Sequence, residues 1–164
     1  MKKGKTTVAS LLIVLVTLGL DQWTKWAVEK SIALNDSVEM INHFFYLTYV
    51  RNTGAGFSMF VGAGMGFFAA LTIIALVGMV YMFFKTNDSH YQICLSLVFS
   101  GAIGNFIDRM TLGFVRDFFS FYIFGYPFPV FNVADICITV GIALILVSMF
   151  IDDKKEQERW KQES

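Results

Sequence analysis

The chain has 164 residues, of which 55% are hydrophobic and only 16% charged, with 18 Phe and 8 Met. Soluble domains average about 25% charged residues, and a chain this short has too little interior to hide so much apolar surface, which excludes an ordinary soluble domain. The 13 basic and 13 acidic residues cancel, so there is no basic footprint for nucleic acid.

Charge placement gives the architecture. No Asp, Glu, Lys or Arg lies between Arg51 and Lys85, between Asp88 and Asp108, or between Asp135 and Asp152. Apolar runs of about 18 or more residues are long enough to cross a bilayer as helices. Four spans are predicted, at about 7–28, 65–84, 91–110 and 132–151, in a single polytopic membrane domain covering 1–164. The first begins with Lys2, Lys3 and Lys5 and runs through Leu11-Leu12-Ile13-Val14-Leu15-Val16. That beginning is also signal-peptide-like. No small-x-small cleavage site follows it, however, but Asp21-Gln22-Trp23-Thr24-Lys25, so it reads as an uncleaved span.

Between the first and second spans lies the segment 29–64, and between the third and fourth lies 111–131. Both are aromatic and β-branched: Phe44-Phe45-Tyr46-Leu47-Thr48-Tyr49-Val50, Phe114-Val115 and residues 118–124 have strand character. A small sheet at the membrane interface, where aromatic side chains prefer to sit, is expected. Lys and Arg counts set the orientation. Eight lie at the N-terminus, in the loop after the second span and in the C-terminal tail, and five lie in the longer opposite segments. Both termini are therefore expected in the cytoplasm, with the two aromatic segments outside. The tail from Asp152 reads as a solvated helix end of mixed charge.

Polar residues beside the spans are the informative ones, because a charge deep in a bilayer costs about 2.5–3.5 kcal/mol even on insertion scales. They form five groups: Asp21 and Lys25; Arg51, Asn52 and Gly54; Asn105, Asp108 and Arg109; Asp117; Asn132 and Asp135. All fall at the predicted outer ends or in the outer segments, so convergence on one site is expected. Asp21 and Lys25, four apart on one helical face, read either as an ion pair closing the first span or as part of the site. Arg109 reads either as snorkelling to headgroups or as a donor to substrate carbonyls. Asp135, in the first turn of the fourth span, reads either as a helix-terminal acid or as a catalytic one. Two carboxylates sharing one water cannot both ionise easily, so one stays protonated while the other acts as base. Asp117 and Asp135 are the candidates for such a pair.

Other chemistries have less support. His43 and His90 have no partner at metal-ligand spacing, and Cys94 and Cys137 read as buried hydrophobes without a neighbouring base. Ser58, Ser96, Ser100 and Ser120 have no histidine at a suggestive spacing. Gly62, Gly64 and Gly66 are not followed by Lys-Ser/Thr, which excludes a phosphate loop. Gly101 and Gly104 read as a close helix-packing face.

Taken in order, these groups resemble those of the bacterial lipoprotein signal peptidases, signal peptidase II. The matching segments are Asp21-Gln22-Trp23-Thr24-Lys25, Arg51-Asn52-Thr53-Gly54-Ala55-Gly56-Phe57, Gly101 through Asn105 to Asp108-Arg109, Val115-Arg116-Asp117-Phe118, and Phe131-Asn132-Val133-Ala134-Asp135 with Thr139 and Gly141. The resemblance implies a metal-independent aspartic endopeptidase of the bacterial inner membrane, needing no cofactor, with Asp117 and Asp135 as the catalytic dyad. It implies that Asn52, Asn105, Arg109 and Asn132 bind substrate backbone or orient the aspartates, that Asp21 and Lys25 support the site, and that Gly54 permits close backbone approach. The implied substrate is a prolipoprotein whose cysteine already carries diacylglycerol, met at the outer leaflet among membrane lipid and cleaved just before that cysteine. One copy of the chain has all the groups needed, so a monomer is expected. Three positions depart from the pattern: Gly56 replaces a common alanine, Arg116 a usual apolar residue, and Ile136 a frequent small polar one. Arg116 would favour an ionised Asp117 if its side chain turned that way. The competing expectation is a proton-coupled transporter or channel, since intramembrane acids also make proton relays. The apolar Leu71-Thr72-Ile73-Ile74-Ala75-Leu76 and Leu144-Ile145-Leu146-Val147 disfavour it. A non-catalytic scaffold leaves the five polar groups unexplained.

Overall fold

A computed structural model describes residues 2–54 and 64–163. It contains four helices, α1 (Lys2–Ser31), α2 (Gly64–Lys85), α3 (Ser89–Leu112) and α4 (Val133–Glu163), and four strands, β1 (Ser37–Ile41), β2 (Phe45–Asn52), β3 (Val115–Ile123) and β4 (Tyr126–Pro127). All four helices are long and apolar enough to cross a membrane. They expose Val16, Ile74, Phe84 and Leu146, as helices that meet lipid tails should. α3 is the hub: 44% of its apolar window is buried, against 6–17% in the others.

Close approach of α3 to its neighbours depends on small residues, since lipid tails are as apolar as leucine and packing alone must hold the bundle. A Cβ on Gly101 would strike the Ala134 carbonyl oxygen in the first turn of α4 and come within 2.8 Å of Ile138 Cγ1. One on Gly141 would lie 2.9 Å from the Cys94 carbonyl oxygen. Gly101→Ala is therefore expected to destabilise the fold by about 1–3 kcal/mol through overpacking. Gly19→Ala, at a helical position with nothing within 4 Å, should be neutral or better. Thermal unfolding of both variants in one detergent tests the difference.

α3 begins at Asp88, whose side chain accepts from the His90 N–H, and ends at Gly113, whose φ of 83° suits the left-handed region. This stop lets the chain turn directly into β3, so that Asp108, Arg109 and Asp117 come close together. The sheet is antiparallel with order β1-β2-β3-β4, and it pairs Val50 with Asp117 and Asn52 with Val115. Its underside meets the end of α1, where Val28, Ile32, Tyr49 and Phe118 form a small core. Aromatic rings of Phe45, Phe119, Phe121 and Phe131 stack along the sheet.

Several expectations are adjusted. β1 and β4 were not foreseen, and β3 begins after Phe114. β1 is exposed throughout and β4 is two residues long, so neither has a hydrophobic alternation to betray it. The tail from Asp152 continues α4 as helix, as expected. Cys94 does have a neighbouring base: His90 Nε2 lies 3.7 Å from its Sγ, one helical turn away, although Cys94 itself is fully buried. Gly56, Phe57, Ser58 and Gly62 lie outside the described residues.

Candidate active site

Asp117 lies near the start of β3, where both faces of the strand are covered. Asn52, at the end of β2, donates from Nδ2 to Asp117 Oδ2 at 2.9 Å. The Asn52 Oδ1 accepts the Gly54 N–H at 3.0 Å, which fixes the side chain in a local turn. The second Asp117 oxygen accepts from Asn132 Nδ2 at 2.6 Å. Only 3% of Asp117 is exposed. Burial pushes its pKa up to about 6; the Asn52 hydrogen bond opposes that shift, and the Asp135 charge adds to it.

Asp135 is placed by the start of α4. Asn132 Oδ1 accepts the Asp135 N–H at 3.0 Å, and Asp135 Oδ2 accepts the Asn132 N–H at 3.1 Å. This is a reciprocal capping box with the shorter Asp in place of Glu. Asp135 Oδ1 accepts from Asn105 Nδ2 at 2.8 Å. Asp135 thus caps its helix and also lines the same cavity as Asp117. Asn132, fully buried, touches both acids.

Beneath the pair lies a buried charge cluster. Lys25 Nζ bonds Asp21 Oδ2 at 2.9 Å and donates to Asn105 Oδ1 at 2.9 Å. Asp21 Oδ1 accepts the Ala134 N–H at 2.9 Å, satisfying another free amide at the head of α4. A Cβ at Gly104 would collide with the Asp21 carboxylate, so a glycine is required there. Asp21 and Lys25 form the expected ion pair and do not line the cavity; they hold Asn105 and α4 from below.

The cavity above the pair has a volume of about 730 Å³ and is lined by Asn52, Gly54, Asn105, Arg109, Asp117 and Asp135 on its polar side. Phe128, Pro129, Val130, Phe131, Ile136 and Val140 supply the apolar side. Arg109 reaches from α3 to the loop after β2. Its Nη2 donates to the Gly54 carbonyl at 3.2 Å and its guanidinium lies 5.5 Å from the Phe68 ring centroid. It thereby ties the loop after β2 to α3 while facing the cavity.

Arg116 does not meet the condition under which it would favour an ionised Asp117. It turns away from Asp117 to Asp108, Glu29 and Gln22, because successive strand residues face opposite sides of a sheet. Glu29, Gln22 and Arg116 were not among the expected site residues. Strand alternation would have placed Arg116, but nothing in the local sequence pairs it with Glu29.

A buried pair of carboxylates, each held by two donors and opening on a half-apolar cleft, suits the activation of water beside an extended peptide. The sequence matches the family described as Signal peptidase (SPase) II over residues 13–151. It is 43% identical over 155 residues to the lipoprotein signal peptidase of Staphylococcus aureus strain bovine RF122 / ET3-1, covering 91% of this chain and 93% of that one. The same figures hold for strain JH9. Among solved structures, a bacterial membrane enzyme determined by the in meso method at 2.3 Å superposes with a TM-score of 0.84 at 40% identity, over 90% of each chain. A second, at 1.9 Å, gives a TM-score of 0.79 at 42% identity, over 86% of this chain and 92% of that one.

Proposed function

The chain belongs to the signal peptidase II family, and from that premise we propose that Asp117 and Asp135 are the catalytic pair with which it removes the signal peptide of prolipoproteins. It is a membrane peptidase. The observation that carries the assignment of the pair is Asn132, whose side chain donates to Asp117 while its backbone donates to Asp135. One residue thus sets both acids against one cavity.

In the reactive state the pair holds a single proton. The ionised carboxylate takes a proton from water, whose oxygen attacks the scissile carbonyl carbon. The protonated carboxyl hydrogen-bonds the carbonyl oxygen as negative charge develops there. The tetrahedral intermediate then collapses, and the proton taken from water passes to the nitrogen of the departing cysteine. Asn52, Asn105 and Asn132 keep the carboxylates oriented. Arg109 and the Gly54 backbone form the polar lip along which an extended peptide lies.

The substrate in this reading is a prolipoprotein bearing a diacylglyceryl cysteine, cut just before that residue. The cavity's apolar wall, Phe128 to Phe131 with Ile136 and Val140, suits a lipidated peptide better than a polar one. The site lies at the outer leaflet of the bacterial inner membrane, both termini are cytoplasmic, and a monomer carries all the groups required. A proton-coupled transporter is not favoured, because the buried charged residues gather at the sheet end of the bundle and the middle stretches of α2 and α4 carry no charge.

The raised pKa of Asp117 gives a pH signature. A carboxyl whose pKa is raised keeps its proton to higher pH, and the singly protonated pair is lost above that point. Cleavage by the free enzyme, read as kcat/KM, is expected to fall as pH rises through a midpoint well above the usual carboxylate range, at about 6. Bilayer and bound peptide exclude water and move the midpoint upward, most of all in kcat. A kcat/KM profile that instead rises through this range and has no alkaline limb contradicts the assignment.

A further inference from the structure

We propose that Arg116 is a positioning residue for the catalytic pair, fixing Asp117 from the opposite face of β3 through a buried ion brace to Asp108 and Glu29. The proposal rests on the role given to Asp117 above. Arg116 is 8% exposed and Asp108 wholly buried. The guanidinium grips both Asp108 oxygens, Nε to Oδ2 at 3.1 Å and Nη2 to Oδ1 at 2.8 Å, a forked geometry that fixes direction as well as distance. The backbone N–H of Arg116 donates to the same carboxylate at 3.0 Å. One acid from α3 therefore holds both the side chain and the main chain of the residue preceding Asp117.

The brace has two further ends. Nη1 pairs with Glu29 on α1 at 3.0 Å, and Nη2 also donates to Gln22 Oε1 at 3.3 Å. The carbonyl of Arg116, which belongs to the peptide unit leading into Asp117, accepts from Asn132 Nδ2 at 3.4 Å. Both peptide units of Arg116 are thus tied down, one to α3 and the other to the residue that contacts both acids. Charge balance points the same way. Without Arg116, the buried carboxylates of Asp21 and Asp108 would share Lys25 alone, which lies 2.9 Å from the first and 3.7 Å from the second. Buried ion pairs add little net stability compared with well-packed apolar substitutes, so the effect of this brace falls on geometry, and stability and turnover become separable.

The test compares Arg116→Met, Arg116→Lys and the double variant Asp108→Asn/Arg116→Met with wild type. It measures kcat, KM and unfolding temperature on a diacylglyceryl-modified prolipoprotein peptide in lipid bicelles. Arg116→Met is expected to lower kcat by about ten- to a hundredfold, the scale of a small misplacement of reacting groups, with KM changed by less than about twofold. The double variant leaves no uncompensated buried acid, so it should unfold near the wild-type temperature and still show the kcat loss. Arg116→Lys should recover part of kcat, since the ammonium neutralises Asp108 but lacks the fork. Wild-type kcat in folded Arg116→Met or in the double variant overturns the brace, as does a loss confined to unfolding temperature or to KM. Asp117→Asn run in parallel separates the two ideas. If that variant cleaves, the catalytic pair itself is wrong; if it is inactive while Arg116→Met is fully active, only the brace is wrong.

Discussion

Asp117→Asn and Asp135→Asn are each expected to reduce cleavage of a lipidated prolipoprotein peptide by at least about a thousandfold, the upper range of what a positioned acid or base supplies. An amide neither takes the proton of water nor shares a titratable proton with its partner acid, so the change removes the chemistry and leaves the shape. The fold should survive. Asparagine at 135 still offers an oxygen to the Asn132 N–H and so keeps that half of the capping box. At 117 it faces donors from Asn52 and Asn132, one of which must find another acceptor, at a cost of about 1–3 kcal/mol. Cleavage rates set beside unfolding temperatures in the same detergent check both halves. A folded variant with near-wild-type turnover refutes the mechanism.

Asn132→Ser should be nearly as damaging to activity while sparing the helix cap. Serine caps a helix about as well as asparagine, so the start of α4 and the Asp135 N–H keep their partner. Serine is too short to reproduce the 2.6 Å bond to Asp117 Oδ1 or the 3.1 Å bond to Asn105 Oδ1. Turnover is expected to drop by about a hundredfold or more, as for a reacting group that has lost its orientation. Asn132→Ala, which loses the cap as well, should destabilise by roughly a further 1 kcal/mol. Equal turnover in Asn132→Ser and wild type would mean that the amide serves only the helix.

The two variants draw on different parts of the same design. Asp117 enters on a strand and Asp135 on a helix, and the β3 to α4 connection brings them to one cavity only because Phe131 returns beside Phe119 through paired backbone bonds. The N-terminus of α4 then presents Asn132 and Asp135 together.

Much of this was legible in the sequence because membranes make charge rare. The gaps flanked by Arg51, Lys85, Asp88, Asp108, Asp135 and Asp152 marked the later three spans, and the predicted bounds 65–84, 91–110 and 132–151 match α2, α3 and the start of α4 to within two residues. The same scarcity made the five polar groups stand out, and their order carried the family resemblance. Local sequence was silent where tertiary contact decides. The Phe44 to Val50 run announced β2, whereas Tyr126–Pro127 pairs with β3 only because a turn at Phe124 and Gly125 folds it back. The direction of Arg116 depended on which face of β3 met α1, and its partner Glu29 lies on α1, far away in the chain. Asp135 was read as either a cap or a catalytic acid, and a helix start that lines a cleft allows one carboxylate to be both.

The most direct measurement is mass spectrometry of the products when purified protein in lipid is given a diacylglyceryl-modified prolipoprotein peptide, with wild type and Asp135→Asn side by side. Wild type is expected to give two fragments, together heavier than the substrate by one water. One is a free signal peptide ending just before the lipidated cysteine, and the other begins with that cysteine. Asp135→Asn is expected to leave the substrate intact. An uncut peptide with folded wild-type protein, or the same two fragments from folded Asp135→Asn, contradicts the proposed cleavage by this pair.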